Sequence, residues 1–287
     1  MLGLVGLGYM GSRIARRLVD AGYPLGVYNR TREKTRALAE RGARVYDSAR
    51  ELAADSDTVL SMLADDDAVE EVMLGPEGVV AAARFGGTII DLSSVHPDTS
   101  RRVASAARPR NVAVLDASVS GSTPQAEDGS LVVFVGGERA AFEQYGPILR
   151  VIGSHIFYLG PSGAGGTMKL VTNSLLGVGI QALAEALVLG QRAGLDKTTL
   201  LDVLEQTAVV TPGQKHKLEN VRSGDYPVEF PLRLMSKARR DRHRVARVRG
   251  GADAARLHRA PASRTAAPAA RVSRREPRRG YLPSCRG

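Results

Sequence analysis

The sequence predicts an α/β protein in three parts: a doubly wound, mostly parallel sheet over residues 1–160, an all-helical region that is cut short over 161–237, and a basic tail over 238–287. Three observations carry this. Short β-branched runs alternate with helical patterns through the first 160 residues, the signature of βαβ units with helices on both faces of a sheet. From Ser162 the pattern is helical only, and from residue 238 large apolar side chains nearly vanish.

Taken in order, strands are expected at LGLVGL (2–7), PLGVYN (24–29), TVLSML (58–63), GTIIDLS (87–93), VAVLDA (112–117), LVVFVGG (131–137) and HIFYLG (155–160). Helical spacing falls around 10–21, 31–40, 65–73, 97–107 and 138–149. The run from Gly163 to Gly194 predicts one helix of some 30 residues, roughly 45 Å long. Apolar on most sides, it reads as the central helix of a bundle or an oligomer core. Its stretch 170–190 contains Asn173, Gln181 and Glu185, which favours a buried soluble helix over a membrane span. Asp196 is a good N-cap for a helix over DKTTLLDVLEQT, and TPGQKHKLENVRSGDY (211–226) predicts a short helix between turns.

The net charge of +10 invites a nucleic-acid or acidic-membrane partner, but its distribution does not support one. Residues 238–287 hold 15 Arg against three acids, whereas residues 1–237 hold 25 basic and 27 acidic groups. The basicity belongs to the tail, and the rest is nearly neutral. One cysteine, Cys285, rules out a disulfide framework and a cysteine metal site, and the five histidines lack ligand spacing, so no metal is expected. Met1 leads straight into an apolar strand with no charged leader, which fits a cytoplasmic protein.

GLVGLGYMGSRIARRLVDAG sets Gly6, Gly8 and Gly11 in GxGxxG spacing between a strand and a helix. That context predicts a Rossmann-type dinucleotide site: Gly6 makes the tight turn, Gly8 lets backbone approach a pyrophosphate, and Gly11 packs helix on strand. Leu7, Tyr9 and Met10 complete the turn. The second strand ends not in the acid that an adenine ribose asks for but in Asn29, followed by Arg30 and Thr31. A guanidinium with hydroxyl support suits a 2′-phosphate, so NADP is expected in preference to NAD. Met62 and Leu63 follow another parallel strand and are expected to line the same cleft.

Four motifs in register resemble the β-hydroxyacid dehydrogenase family, which includes 3-hydroxyisobutyrate dehydrogenase and tartronate and succinic semialdehyde reductases. They are GLGYMG (6–11), DLSSVHP (91–97), DASVSGSTPQAEDGSLVVFVGG (116–137) and GAGGTMKLVTNSLLG (163–177). The resemblance implies hydride transfer between a nicotinamide cofactor and a small β-hydroxyacid or its semialdehyde. It sets Ser94 beside the cofactor, in the place of a Thr, and gives the substrate carboxylate to Ser120, Gly121 and Ser122. Within that stretch Ser118 stands for the family's Pro and Ser122 for its Gly.

Lys169 and Asn173 are four apart, hence on one helix face. A lysine whose pKa is lowered by burial suits proton transfer to a nascent alkoxide. Spacing alone leaves open a plain solvated lysine; the resemblance implies that Lys169 is catalytic, with Asn173 orienting it or the substrate.

FPLRLMSK (230–237) matches the family up to Lys237, which the resemblance places at the nicotinamide end of the cleft. Beyond it the family's Asp is Ala238, and 34 of the last 50 residues are Arg, Ala, Gly or Pro. Six sizeable apolar residues in 50 are too few to offset the entropy of ordering that chain. A reading-frame shift in GC-rich coding DNA near Lys237 accounts for such a tail. On that reading the helices that close the site and pair subunits into a dimer or tetramer are lost, and weak or absent turnover is expected. Two other functions compete: a nucleic-acid-associated protein using the arginine tail on a dehydrogenase scaffold, and an imine reductase. The tail lacks lysine and base-stacking aromatics beyond Tyr281, and Lys169 favours the hydroxyacid reading.

Overall fold

A computed structural model describes residues 1–226. Lys237, the expected change of character after it, and the basic tail lie outside the described residues.

Eight strands form one sheet in the order β3-β2-β1-β4-β5-β6-β7-β8. They are β1 (Leu2–Val5), β2 (Leu25–Tyr28), β3 (Arg44–Val45), β4 (Thr58–Ser61), β5 (Thr88–Asp91), β6 (Ala113–Ser120), β7 (Leu131–Gly137) and β8 (Gly153–Gly160). All seven expected strands are present. β3 was not expected, because two residues are too few to show an alternating pattern.

Every pairing is parallel except β6 with β7. Only residues 121–130 separate those two strands, fewer than a parallel crossover needs. The connection holds one short helix, and the chain turns back on itself.

The helices are α1 (Gly11–Asp20), α2 (Arg36–Ala39), α3 (Ala49–Asp55), α4 (Asp66–Leu74), α5 (Val79–Ala82), α6 (Pro97–Ala107), α7 (Thr123–Asp128), α8 (Arg139–Ile152), α9 (Ala164–Arg192), α10 (Lys197–Gln206) and α11 (Pro212–Ser223). Asp65, Asp196 and Thr211 cap α4, α10 and α11 by accepting backbone N–H bonds from Ala68, Thr199 and Gln214.

Strand alternation divides the sheet's core between its two faces. Leu4, Leu60, Ile90 and Leu115 join Ile14, Leu18 and Leu149 on one side. Their neighbours Val5, Val59, Ile89 and Val114 join Leu52, Val69, Met73 and Val103 on the other. Each such burial contributes about 1.5–3 kcal/mol.

α9 runs 29 residues, about 44 Å, close to expectation. Its burial is a correction. The sequence predicts a buried helix over 170–190, yet Val171, Leu175, Val178, Val188 and Leu189 are all at least half exposed among the described residues. The helix is apolar around most of its circumference, but the sheet covers only its first turns and α10 and α11 cover one strip. By length and composition alone α9 could also cross a membrane. Its opening turns, however, lie on the sheet and bury Lys169 and Asn173.

Candidate active site

Five adjacent parallel strands, β2, β1, β4, β5 and β6, end along one edge of the sheet. Chain direction across the sheet reverses between β1 and β4, and the crevice outside strand ends at such a switch point is where α/β sheets bind ligands. The expected residues follow these strand ends: Gly6 to Gly11 after β1, Asn29 to Thr31 after β2, Met62 and Leu63 after β4, Ser94 after β5, and Ser120 to Ser122 at the end of β6.

Gly6 has φ +97°, and a Cβ there would strike the Met62 carbonyl. Only glycine fits. A Cβ at Gly8 would meet nothing within 4 Å, and the N–H groups of Gly8, Tyr9 and Met10 have no acceptor among the described residues. Open space beside free N–H groups at the start of α1 fits a dinucleotide pyrophosphate.

Asn29 is built into the turn itself. Its Oδ1 accepts from Leu7 N–H at 2.9 Å and its Nδ2 donates to Thr31 carbonyl at 2.8 Å. The carboxamide thus braces β2 against the glycine turn. Arg32 is paired with Asp47, whereas Arg30 is exposed with no ion pair or hydrogen bond among the described residues.

Ser94 alone in the stretch 91–97 is partly open, its neighbours all being buried. Leu63 N–H donates to Ser93 Oγ at 2.8 Å, tying the loops after β4 and β5 together. Ser120 is partly open and Gly121 exposed. Ser122 holds the start of α7: its N–H and Oγ both donate to Gln125 Oε1, at 2.9 and 3.3 Å. Of the three expected substrate residues, Ser122 is therefore already engaged in a cap.

Lys169 and Asn173 lie on the buried strip of α9 that begins with Gly165 and Gly166. The strip exists because those glycines let the helix touch the sheet: a Cβ at Gly165 would strike the carbonyls of Phe134 and Asp116. Gly166 sits against Val95, in the loop that follows Ser94, and Pro97, the first residue of α6. Lys169 is 9% exposed and has no acidic partner among the described residues. Burial brings its amine down to about pKa 8. Such a group can hold or release a proton near neutral pH, and spacing alone could not distinguish it from a solvated lysine.

Two buried carboxylates behind the site were missed. Asp116 on β6 accepts from Gly163 N–H at 2.8 Å and Gly166 N–H at 3.0 Å. Burial pushes it up to about pKa 6, against the pull of those two bonds. Asp91 on β5 accepts from Ser61 Oγ at 2.7 Å and Ser93 N–H at 3.1 Å. The available signal was an acid set inside an apolar strand, as in VAVLDA and GTIIDLS.

Residues 1–160 match the NAD binding domain of 6-phosphogluconate dehydrogenase, and residues 163–255 match the NAD-binding domain of NADP-dependent 3-hydroxyisobutyrate dehydrogenase. The second match runs past Lys237, to residue 255. The chain is 36% identical to 2-(hydroxymethyl)glutarate dehydrogenase of Eubacterium barkeri over 237 residues, covering 82% of this chain and 79% of that one. It is also 36% identical to glyoxylate/succinic semialdehyde reductase 1 of Arabidopsis thaliana, covering 82% of each. Among solved structures, 3-hydroxyisobutyrate dehydrogenase of Salmonella typhimurium superposes with a TM-score of 0.79 at 28% identity, covering 89% of this chain and 90% of that one. A glycine turn, a strand-end crevice and a buried lysine on the following helix thus meet a family match over most of the sequence, and the chain belongs to the β-hydroxyacid dehydrogenase family of NAD(P)-dependent oxidoreductases.

Proposed function

We propose that the chain interconverts a small β-hydroxyacid and its semialdehyde with NADP as preferred cofactor. The buried amine of Lys169, with its pKa near 8, carries this reading. Bound nicotinamide supplies the hydride in reduction and takes it in oxidation. Lys169 Nζ gives a proton to the carbonyl oxygen as it becomes a hydroxyl, and recovers it in the opposite direction. Asn173, one turn on, orients the amine or the substrate oxygen. The Ser120 hydroxyl and the Gly121 N–H receive the substrate carboxylate, while Ser122 keeps α7 in place.

NADP preference rests on Arg30, an uncommitted guanidinium at the end of β2, with Thr31 beside it. Asn29 serves the cofactor through the shape of the turn, and Ser94, Met62 and Leu63 line the nicotinamide side. The chain works in the cytoplasm, and the open apolar side of α9 favours pairing with another copy.

The test is NADPH oxidation with glyoxylate, succinic semialdehyde and methylmalonate semialdehyde, beside an uncharged aldehyde of similar size. Turnover confined to the acids is expected. Equal turnover of the uncharged aldehyde removes the carboxylate site from the account.

A further inference from the structure

One face of β6 bonds to two parts of the site and ends at a third. Side chains alternate along a strand, so Leu115, Ala117 and Val119 enter the core on one face while Asp116, Ser118 and Ser120 share the other. Asp116 grips the first turn of α9. The N-cap of that helix is Gly163, which has no side chain to cap with, and Asp116 supplies the missing acceptors from another element. Gly163 and Gly166 immediately precede the turn that holds Lys169. Ser118 Oγ donates to Ser93 carbonyl at 3.1 Å, next to Ser94.

Ser93 is held from two further sides, by Asp91 and by Leu63 N–H, and Asp91 also receives Ser61 from β4. Ser61, Asp91, Ser93, Asp116 and Ser118 are all at most 4% exposed, so none of them is a surface polar group. Buried groups with their hydrogen bonds made restrict the backbone around them to one arrangement. Where the family pattern has Pro, a residue with no such donor, this chain has the Ser118 hydroxyl.

We propose that Asp116 and Ser118 are positioning residues: from one face of β6 they fix, respectively, the helix that carries Lys169 and the loop that carries Ser94, in register with Ser120 at the strand end. The proposal rests on Lys169 being the proton donor. Asp116→Asn keeps the shape but leaves one N–H of α9 facing an amide nitrogen, so the lysine shifts. Ser118→Ala removes one of the three bonds that hold Ser93, loosening the Ser94 loop, and leaves α9 in place.

The experiment uses the full chain and three variants, Asp116→Asn, Ser118→Ala and Lys169→Ala, with kcat, NADPH affinity by fluorescence titration, and amide hydrogen exchange. Asp116→Asn is expected to lower kcat about 100-fold with NADPH affinity within about threefold. Exchange should rise over residues 163–170 and remain unchanged over 91–95. Ser118→Ala is expected to do the converse: faster exchange at 91–95 and several-fold weaker NADPH binding, with kcat within about threefold. Ser118→Thr, which keeps the hydroxyl, should restore affinity. Parallel loss of kcat and affinity in both variants, with exchange raised across the sheet, overturns the proposal in favour of general stability. If Lys169→Ala is inactive while Asp116→Asn keeps full kcat, positioning alone fails. If Lys169→Ala keeps full kcat, the lysine reading fails and takes the proposal with it. Should Asp116→Asn not fold, the split between kcat and affinity in Ser118→Ala still decides.

Discussion

Leu60 in the sheet and Leu201 in the helices are almost equally inaccessible, at 0% and 1% exposure, yet they sit in very different surroundings. Leu60 belongs to a cluster of two dozen buried residues drawn from strands and helices along most of the sheet. Leu201 shares its cluster with three, Leu183, Val210 and Leu218. The sheet covers its own apolar faces, because every βαβ unit brings a helix back onto it. The helices after it cover one another only in part, and α9 shows Leu175 and Leu189 at 72% and 71% exposure. The glycine turn and the other strand-end loops thus stand on the closed region, and Lys169, to which we assign the proton transfer, stands where the open region first touches it.

That contrast can be broken with a matched pair. Leu60→Ala and Leu201→Ala should each cost about 2–5 kcal/mol locally. In Leu60→Ala the loss should appear in the global denaturant midpoint. In Leu201→Ala it should appear as local opening of α10 and α11, read by hydrogen exchange, with NADPH affinity retained. A fall of both together in Leu201→Ala would make the two regions one cooperative unit.

A smaller effect concerns the closed region alone. Arg30→Ala should raise KM for NADPH about tenfold, near 1.4 kcal/mol, and leave KM for NADH unchanged. Equal change for both cofactors would assign Arg30 a role other than 2′-phosphate recognition.

The smallest expected effect is on the open side. Leu175→Ser should change stability by less than about 0.5 kcal/mol, since the side chain is mostly in water. Self-association measured by sedimentation should weaken. A stability loss of several kcal/mol would mean that the residue is covered within the chain.

What the sequence made legible follows the same division. The glycine turn, the strand ends and the long helix were readable because each rests on local spacing. Lys169 was readable as a position, but its burial was not: that depends on Gly165 meeting carbonyls of Phe134 and Asp116, distant in sequence. Asn29 was read as standing where a ribose-binding acid is absent, and its two hydrogen bonds, with Leu7 N–H and the Thr31 carbonyl, could not be seen from the strand end alone. Asp116 lay inside a motif quoted for other residues. Its role depends on N–H groups some fifty residues downstream. The exposure of α9 was misread because apolarity predicts that a surface is covered without saying by what.

The most direct test is the pH dependence of kcat/KM in both directions, for the native chain and Lys169→Ala. Reduction needs the protonated amine and should fall above pH about 8, whereas oxidation needs the neutral amine and should rise through the same range. In Lys169→Ala both limbs should vanish, with kcat lower by about 100- to 10,000-fold and NADPH affinity kept. Native turnover in Lys169→Ala, with the pH limbs intact, would contradict the account.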